Sequence, residues 1–214
     1  PIYGMQQFAY AYIQEQYPTR EFNVNDLNIL NFDIETRSDE GFPNIAEADM
    51  EILSIALRCN GQSYILGCGE YKPSGDDKYI KCVSEADLLH KFIDLWKQLD
   101  PDIITGWNVE MFDIPYTVNR IKRRLSTEAV NQLSPWGIVK DRLIPTAQTQ
   151  ALGDAAEPNA KEIFGITVFD YMNLYKKFTY SQQESYALDY IGNVELGEKK
   201  LDYSEYGSLN ELYK

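Results

Sequence analysis

The chain has 214 residues, with 33 Asp and Glu against 20 Lys and Arg, a formal net charge of −13. At this length a folded chain buries roughly 70% of the surface its unfolded form exposes, so one hydrophobic core needs no disulfide or metal to hold it. No apolar run approaches the ~20 residues of a membrane span, and the acidic balance argues against a binder that works by neutralising many phosphates.

Cys59, Cys68 and Cys82 have no C-x-x-C spacing, and the N-terminus lacks a basic-then-apolar secretory pattern, so a reducing, cytoplasmic setting is expected. The single histidine, His90, has no Cys/His cluster around it, which sets aside zinc chemistry and His-based nucleophilic triads. Acidic residues that hold divalent metals stay open.

In chain order, residues 1–26 contain MQQFAYAYIQEQYP, the pattern of an amphipathic helix and of a leader from a neighbouring domain. Residues 27–35 (LNILNFDIE) predict a strand. Residues 50–58 and 62–68 predict two more, joined by the two-residue hairpin signal Asn60-Gly61. Ser84 opens a helix, with Asp87 as a reduced capping box and Leu88, Leu89, Phe92, Ile93, Leu95, Trp96 and Leu99 on one stripe. A short strand follows at 102–105, then a helix over 114–125 with Pro115 in its first turn, and Ser126 caps another. Two strand arms, IVKDRLI and EIFGITV, flank the polar stretch TAQTQALGDAAEPNA, which predicts a protruding β-hairpin around 138–167 with a long loop. Helices are then expected from Asp170 and from Ser185. The segment 207–214 reads as a helix just begun, with Ser208 and Glu211 at capping-box spacing, so a fragment of a longer protein is expected.

Three antiparallel strands, a crossover helix, a fourth strand parallel to the first and then packed helices form an α/β order with few solutions. The ribonuclease H-like fold, a mixed sheet flanked by helices, matches it best.

Asp33 and Glu35 end the first strand, and residues two apart on a strand share a face about 6.5 Å apart. Their mutual repulsion is relieved by hard cations such as Mg²⁺ or Mn²⁺. The chain has four other acidic-x-acidic pairs, 47/49, 49/51, 85/87 and 100/102, all in polar or helical surroundings; only 33/35 interrupts an apolar strand. A solvated strand-end pair is the plainer alternative. The second constellation, residues 105–113 (TGWNVEMFD), follows the short strand, where open α/β sheets place their sites. Taken alone, Asp113 reads as a helix N-cap, Asn108 as a turn residue and Phe112 as core, and it is the gathering of three acidic groups at one sheet edge that favours a site.

Asp33-x-Glu35 followed by Asn108-x-x-x-Phe112-Asp113 resembles the first two motifs of the 3′–5′ proofreading exonuclease domain of family B DNA polymerases. The stretches ITGWNVEMFDIPYTVNRIKRRL and FGITVFDYMNLYKKFTYSQQESYALDYI are similar to the replicative polymerases of tailed bacteriophages. The resemblance implies a DnaQ-like exonuclease domain over 27–214, two Mg²⁺ or Mn²⁺ ions, and Asp33, Glu35 and Asp113 as catalytic metal ligands. It also implies that Asn108 and Phe112 hold the 3′ end of single-stranded DNA. The implied partners are the remaining polymerase domains and, through the parent protein, a sliding clamp, in a phage-infected bacterium. The hairpin would then help to separate primer from template; a tolerated surface loop is the alternative.

The family's third motif, Tyr-x-x-x-Asp, is not found; Tyr17/Glu21 and Tyr180/Glu184 carry glutamate at the last position. The chain alone is therefore expected to bind metal weakly and to show little nuclease activity. A silent docking module of a polymerase and a stand-alone ribonuclease H-like nuclease are the competing readings. The basic group Arg120, Lys122, Arg123 and Arg124 reads as a solvated face, with DNA contact as its alternative.

Overall fold

The computed structural model describes residues 8–19, 21, 23–37, 41–73 and 75–198; the predicted C-terminal cap at Ser208 and Glu211 lies outside them. Strand β1 (Ile29–Thr36) pairs antiparallel with β2 (Ile52–Cys59), and β2 pairs antiparallel with β3 (Gln62–Gly67). The β2–β3 turn is the expected one, with Asn60 at φ 50° and Gly61 at φ 80°, the left-handed pair that a tight hairpin of right-handed twist requires.

Strand β4 (Lys78–Lys81) follows, parallel to β3. The sequence reading omits it because KYIK is too short to display alternation, and its terminal lysines are those of a solvated sheet edge. Helix α1 (Phe8–Gln16), predicted as amphipathic, has no buried residue. Helix α2 (Glu85–Leu99) is capped by Ser84, whose hydroxyl accepts from Asp87 N at 3.3 Å, while Asp87 accepts from Val83 N at 2.9 Å. Its apolar stripe is buried as expected, with Leu99 partly so.

Strand β5 (Ile103–Gly106) runs parallel to β1, as the crossover rule demands. Helices α3 (Asp113–Arg124) and α4 (Thr127–Asn131) follow, the second capped by Ser126. Antiparallel β6 (Val139–Arg142) and β7 (Ala160–Ile163) form the predicted hairpin as a separate two-stranded sheet.

The polar segment between them is not a plain loop. It holds helix α5 (Ala147–Leu152), closed by a reciprocal Thr146/Thr149 capping box. The second arm also divides: the chain turns at Phe164-Gly165, and β8 (Thr167–Asp170) joins the main sheet parallel to β5. Helix α6 (Tyr171–Phe178) starts where predicted, after Asp170. Helix α7 (Leu188–Leu196) begins three residues later than expected, because the Ser185 hydroxyl accepts from Ala187 N in a local turn instead of capping a helix.

The main sheet therefore has six strands in the order β4-β3-β2-β1-β5-β8. One face is buried. Leu30, Phe32 and Ile34 of β1 meet Leu88, Phe92 and Trp96 of α2 and Ile114 and Val118 of α3 in one core. Phe32, Phe92 and Trp96 form an aromatic triple with centroids 5.5–6.0 Å apart, and Trp96 Nε1 donates to Leu133 O at 2.9 Å. Asn31 and Asp33, which alternate with this set along β1, stay exposed, and Glu35 is half-buried. Cys59, Cys68 and Cys82 are free thiols. No helix among the described residues is long and apolar enough to cross a membrane.

Candidate active site

Asp33 and Glu35 lie on the open face of β1, opposite Ala56 and Ser54 of β2. Those small neighbours, with Gly67 opposite Ser54 on β3, leave a cleft of about 370 Å³ whose lining includes both carboxylates, Cys68, Tyr71 and Tyr79. Burial, together with the charges of Glu51, Asp87 and Glu85, raises the Cys68 thiol above its ordinary range, so it is a poor nucleophile at neutral pH.

Asp113 arrives from the far side of the sheet edge. It is the first residue of α3, but its carboxylate does not cap that helix in the usual way. Oδ1 accepts from Ile34 N at 3.0 Å, the amide between Asp33 and Glu35. Strand β1 pairs with β5 over Ile29–Asn31, and Asp113 takes up a backbone donor on the stretch of β1 beyond that pairing. Asp113 is only 4% exposed. Burial raises its pKa to about 7, the Asp33 charge adds to the rise, and the Ile34 N–H opposes it. The helix N-cap alternative is thereby corrected: the N-terminal flanking residue is Phe112, which makes no side-chain cap.

Asn108 and Phe112 sit in the loop between β5 and α3. Asn108 has φ 61°, a left-handed conformation that asparagine tolerates better than most residues, and its carbonyl accepts from Met111 N at 3.1 Å and Phe112 N at 3.0 Å. Phe112 is not plain core. Its ring stacks on Tyr116 at 5.7 Å and meets Phe42 at 5.3 Å, and Phe42 is 81% exposed. Sequence reasoning missed Phe42, which sits on an irregular connection with no periodic signal.

It also missed Asp170, 3% exposed at the end of β8, whose charge reaches Asp113. A helix-cap reading fully accounted for that residue, so nothing marked it as a site acid.

In the basic group on α3, Lys122, Arg123 and Arg124 are exposed, as a solvated face requires, and Arg120 is the exception. Arg120 is buried, its Nε and Nη2 each 2.6 Å from Glu85, while Nη1 donates to Ala48 O and Asp49 O at 2.9 and 2.8 Å. Arg124 also pairs with Glu85, at 3.3 Å, and Arg123 donates to Glu47 O at 3.1 Å. These bonds pin the connection between β1 and β2 against α3.

Among the described residues, no three His, Cys, Asp or Glu side chains converge closely enough to enclose a metal ion. The carboxylates nevertheless suit a hard divalent cation of the Mg²⁺ type, which is commonly held by one or two carboxylates with water completing its shell. Burial first, and the Asp33 charge second, oppose ionisation of Asp113, and a cation held between the carboxylates would offset the second.

Fold and site together define a ribonuclease H-like α/β domain with an acidic centre at the carboxyl ends of its parallel strands. Residues 8–191 match the model of the DNA polymerase family B exonuclease domain, and the chain belongs to that family. It is 32% identical to the DNA-directed DNA polymerase of Escherichia phage RB69 and 30% identical to that of Enterobacteria phage T4, with 98% of the chain aligned in each case. The DNA polymerase delta catalytic subunit of Caenorhabditis elegans is 28% identical over 84% of the chain. The chain spans about a quarter of the length of the two phage polymerases, 25% of each.

Proposed function

We propose that this domain removes nucleotides from the 3′ end of single-stranded DNA as the proofreading part of a phage-type DNA polymerase. The observation that carries the reading is the bond from Ile34 N to Asp113, which brings a third carboxyl group against the backbone between Asp33 and Glu35.

In this reading Asp33, Glu35 and Asp113 hold divalent metal. When bound, the metal supplies a hydroxide near neutral pH and stabilises the attacking and leaving oxygens of the phosphodiester. Asn108 and Phe112 position the terminal nucleotides, and the Phe112–Phe42 pair offers a stacking surface that accepts any base. The remaining polymerase domains are the partners that deliver a frayed 3′ end. The competing reading is a silent docking module of a polymerase.

Degradation of 3′-labelled single-stranded DNA in Mn²⁺ separates the two. It is measured for the chain, for a form extended by a Tyr-x-x-x-Asp segment, and for Asp33→Ala in both. Release of mononucleotides by the extended form, abolished by Asp33→Ala, supports the exonuclease. No degradation by either form overturns it in favour of the docking module.

A further inference from the structure

The loop carrying Asn108 and Phe112 is tied to a residue that lies 60 and 62 positions further along the chain. Asp170 closes β8, where it is the register partner of Gly106 on β5. Its carboxylate accepts four backbone N–H groups. Met172 N at 2.9 Å and Asn173 N at 3.4 Å belong to the first turn of α6, the ordinary work of an N-cap. Asn108 N at 3.2 Å, to Oδ1, and Glu110 N at 3.0 Å, to Oδ2, belong to the loop.

A helix cap needs one oxygen; this residue uses both, and the second is committed to the loop. Serine or threonine would cap α6 as well, yet neither has a second oxygen to reach Glu110. Four N–H donors and the positive end of α6 stabilise the charge of a carboxylate that is 3% exposed. The left-handed Asn108 is a strained position that persists where its surroundings hold it, and Asp170 grips the amides of residues 108 and 110, on both sides of that bend.

We propose that Asp170 is a positioning residue of the nucleic-acid site: its carboxylate fixes the Trp107–Phe112 loop to the carboxyl end of β8, and so holds Asn108 and Phe112 beside Asp33 and Asp113. The proposal rests on the exonuclease reading above and adds the group that shapes its substrate loop. Asp170 touches neither metal nor DNA in this scheme; it acts through the two loop amides.

The test uses the whole chain and Asp170→Ser, which keeps a capping oxygen and loses the tether. Amide hydrogen exchange is read at residues 108, 110, 172 and 173, and affinity is read with a fluorescein-labelled oligothymidylate bearing a free 3′ hydroxyl. The expected result is exchange roughly tenfold faster or more at Glu110, whose acceptor oxygen is removed, with Met172 and Asn173 still protected, an unchanged far-ultraviolet spectrum and roughly tenfold weaker oligonucleotide binding. Asp170→Asn retains one acceptor oxygen and serves if the serine variant fails to fold. It is expected to loosen Glu110 alone. Unchanged exchange at Glu110 overturns the proposal, as does oligonucleotide affinity equal to that of the parent. Failure of the parent chain itself to bind the oligonucleotide overturns the exonuclease reading and with it the role given to Asp170. Binding that Asp170→Ser leaves intact removes only that role.

Discussion

A methyl group added at Gly106 would lie 2.6 Å from Phe32 O and 3.0 Å from Val109 Cβ. The last residue of β5 therefore approaches β1 as closely as backbone allows, one step before the site loop begins. Gly106→Ala is expected to cost about 1–3 kcal/mol of stability, read by urea denaturation, because neither neighbour is a flexible side-chain end. Asp113 carries the pH dependence. Its folded pKa, about 7, lies above the ordinary value of 3.8, so the native state retains a proton that the unfolded chain has released. The contribution is complete below the unfolded pKa and is lost as pH rises through the folded one. In metal-free buffer, Asp113→Asn should melt close to the parent at pH 4 and above it at pH 8, and thermal scans at the two values check this. The residue pattern singled out Asp33 and Glu35, two charges that interrupt an apolar strand, whereas Asp113 taken alone read as a helix N-cap and joined them only through the strand topology and the family resemblance. Phe42 and Asp170 were not legible, since one lies on an aperiodic connection and the other satisfies a local rule completely.

At the scale of elements, the ion pair between α2 and α3 ties both helices to the connection between β1 and β2. Glu85 accepts from Ile52 N at 2.9 Å as well as from Arg120, and Arg120 in turn holds the carbonyls of residues 48 and 49. Truncation of one partner leaves the other charged and buried. Glu85→Ala is expected to destabilise the fold by about 3–5 kcal/mol, and Glu85→Gln by less, in urea unfolding. The sequence could not reveal this pair, because a cluster of Arg and Lys on a helix has the composition of a solvated face and only the third dimension supplies its carboxylate. The hydrophobic elements were easier. The stripe of α2 and the alternation of β1 are long enough to set their own period, whereas β4 and β8 are four residues each, too short to display one, and β8 takes its place beside β5, which sequence order does not adjoin. The capping box of α5 was readable in principle, but small polar residues around it carry the stronger signal of a loop.

Over the whole molecule, the crossover places β1 and β5 side by side and parallel, so that their carboxyl ends bring residues 33–35 and 106–113 together from distant parts of the chain. That convergence was legible from topology alone. The formal charge of −13 opposes long-range attraction to DNA, so divalent ions should govern the interaction with nucleic acid. Affinity for a short single strand is expected to rise with added Mn²⁺, as read by fluorescence anisotropy; a fall would mean that the ion acts only as a screening salt. The four remaining acidic-x-acidic pairs supply an internal control, since they match the spacing of Asp33 and Glu35 without Asp113. The most direct measurement is a Mn²⁺ titration of the chain followed by electron paramagnetic resonance of the free ion, beside Asp33→Ala, Asp113→Asn and the surface variant Glu47→Gln. Uptake reduced roughly tenfold or more by either site substitution and unchanged by Glu47→Gln is the predicted result. Equal uptake by all four proteins would contradict a cation site built from β1 and α3.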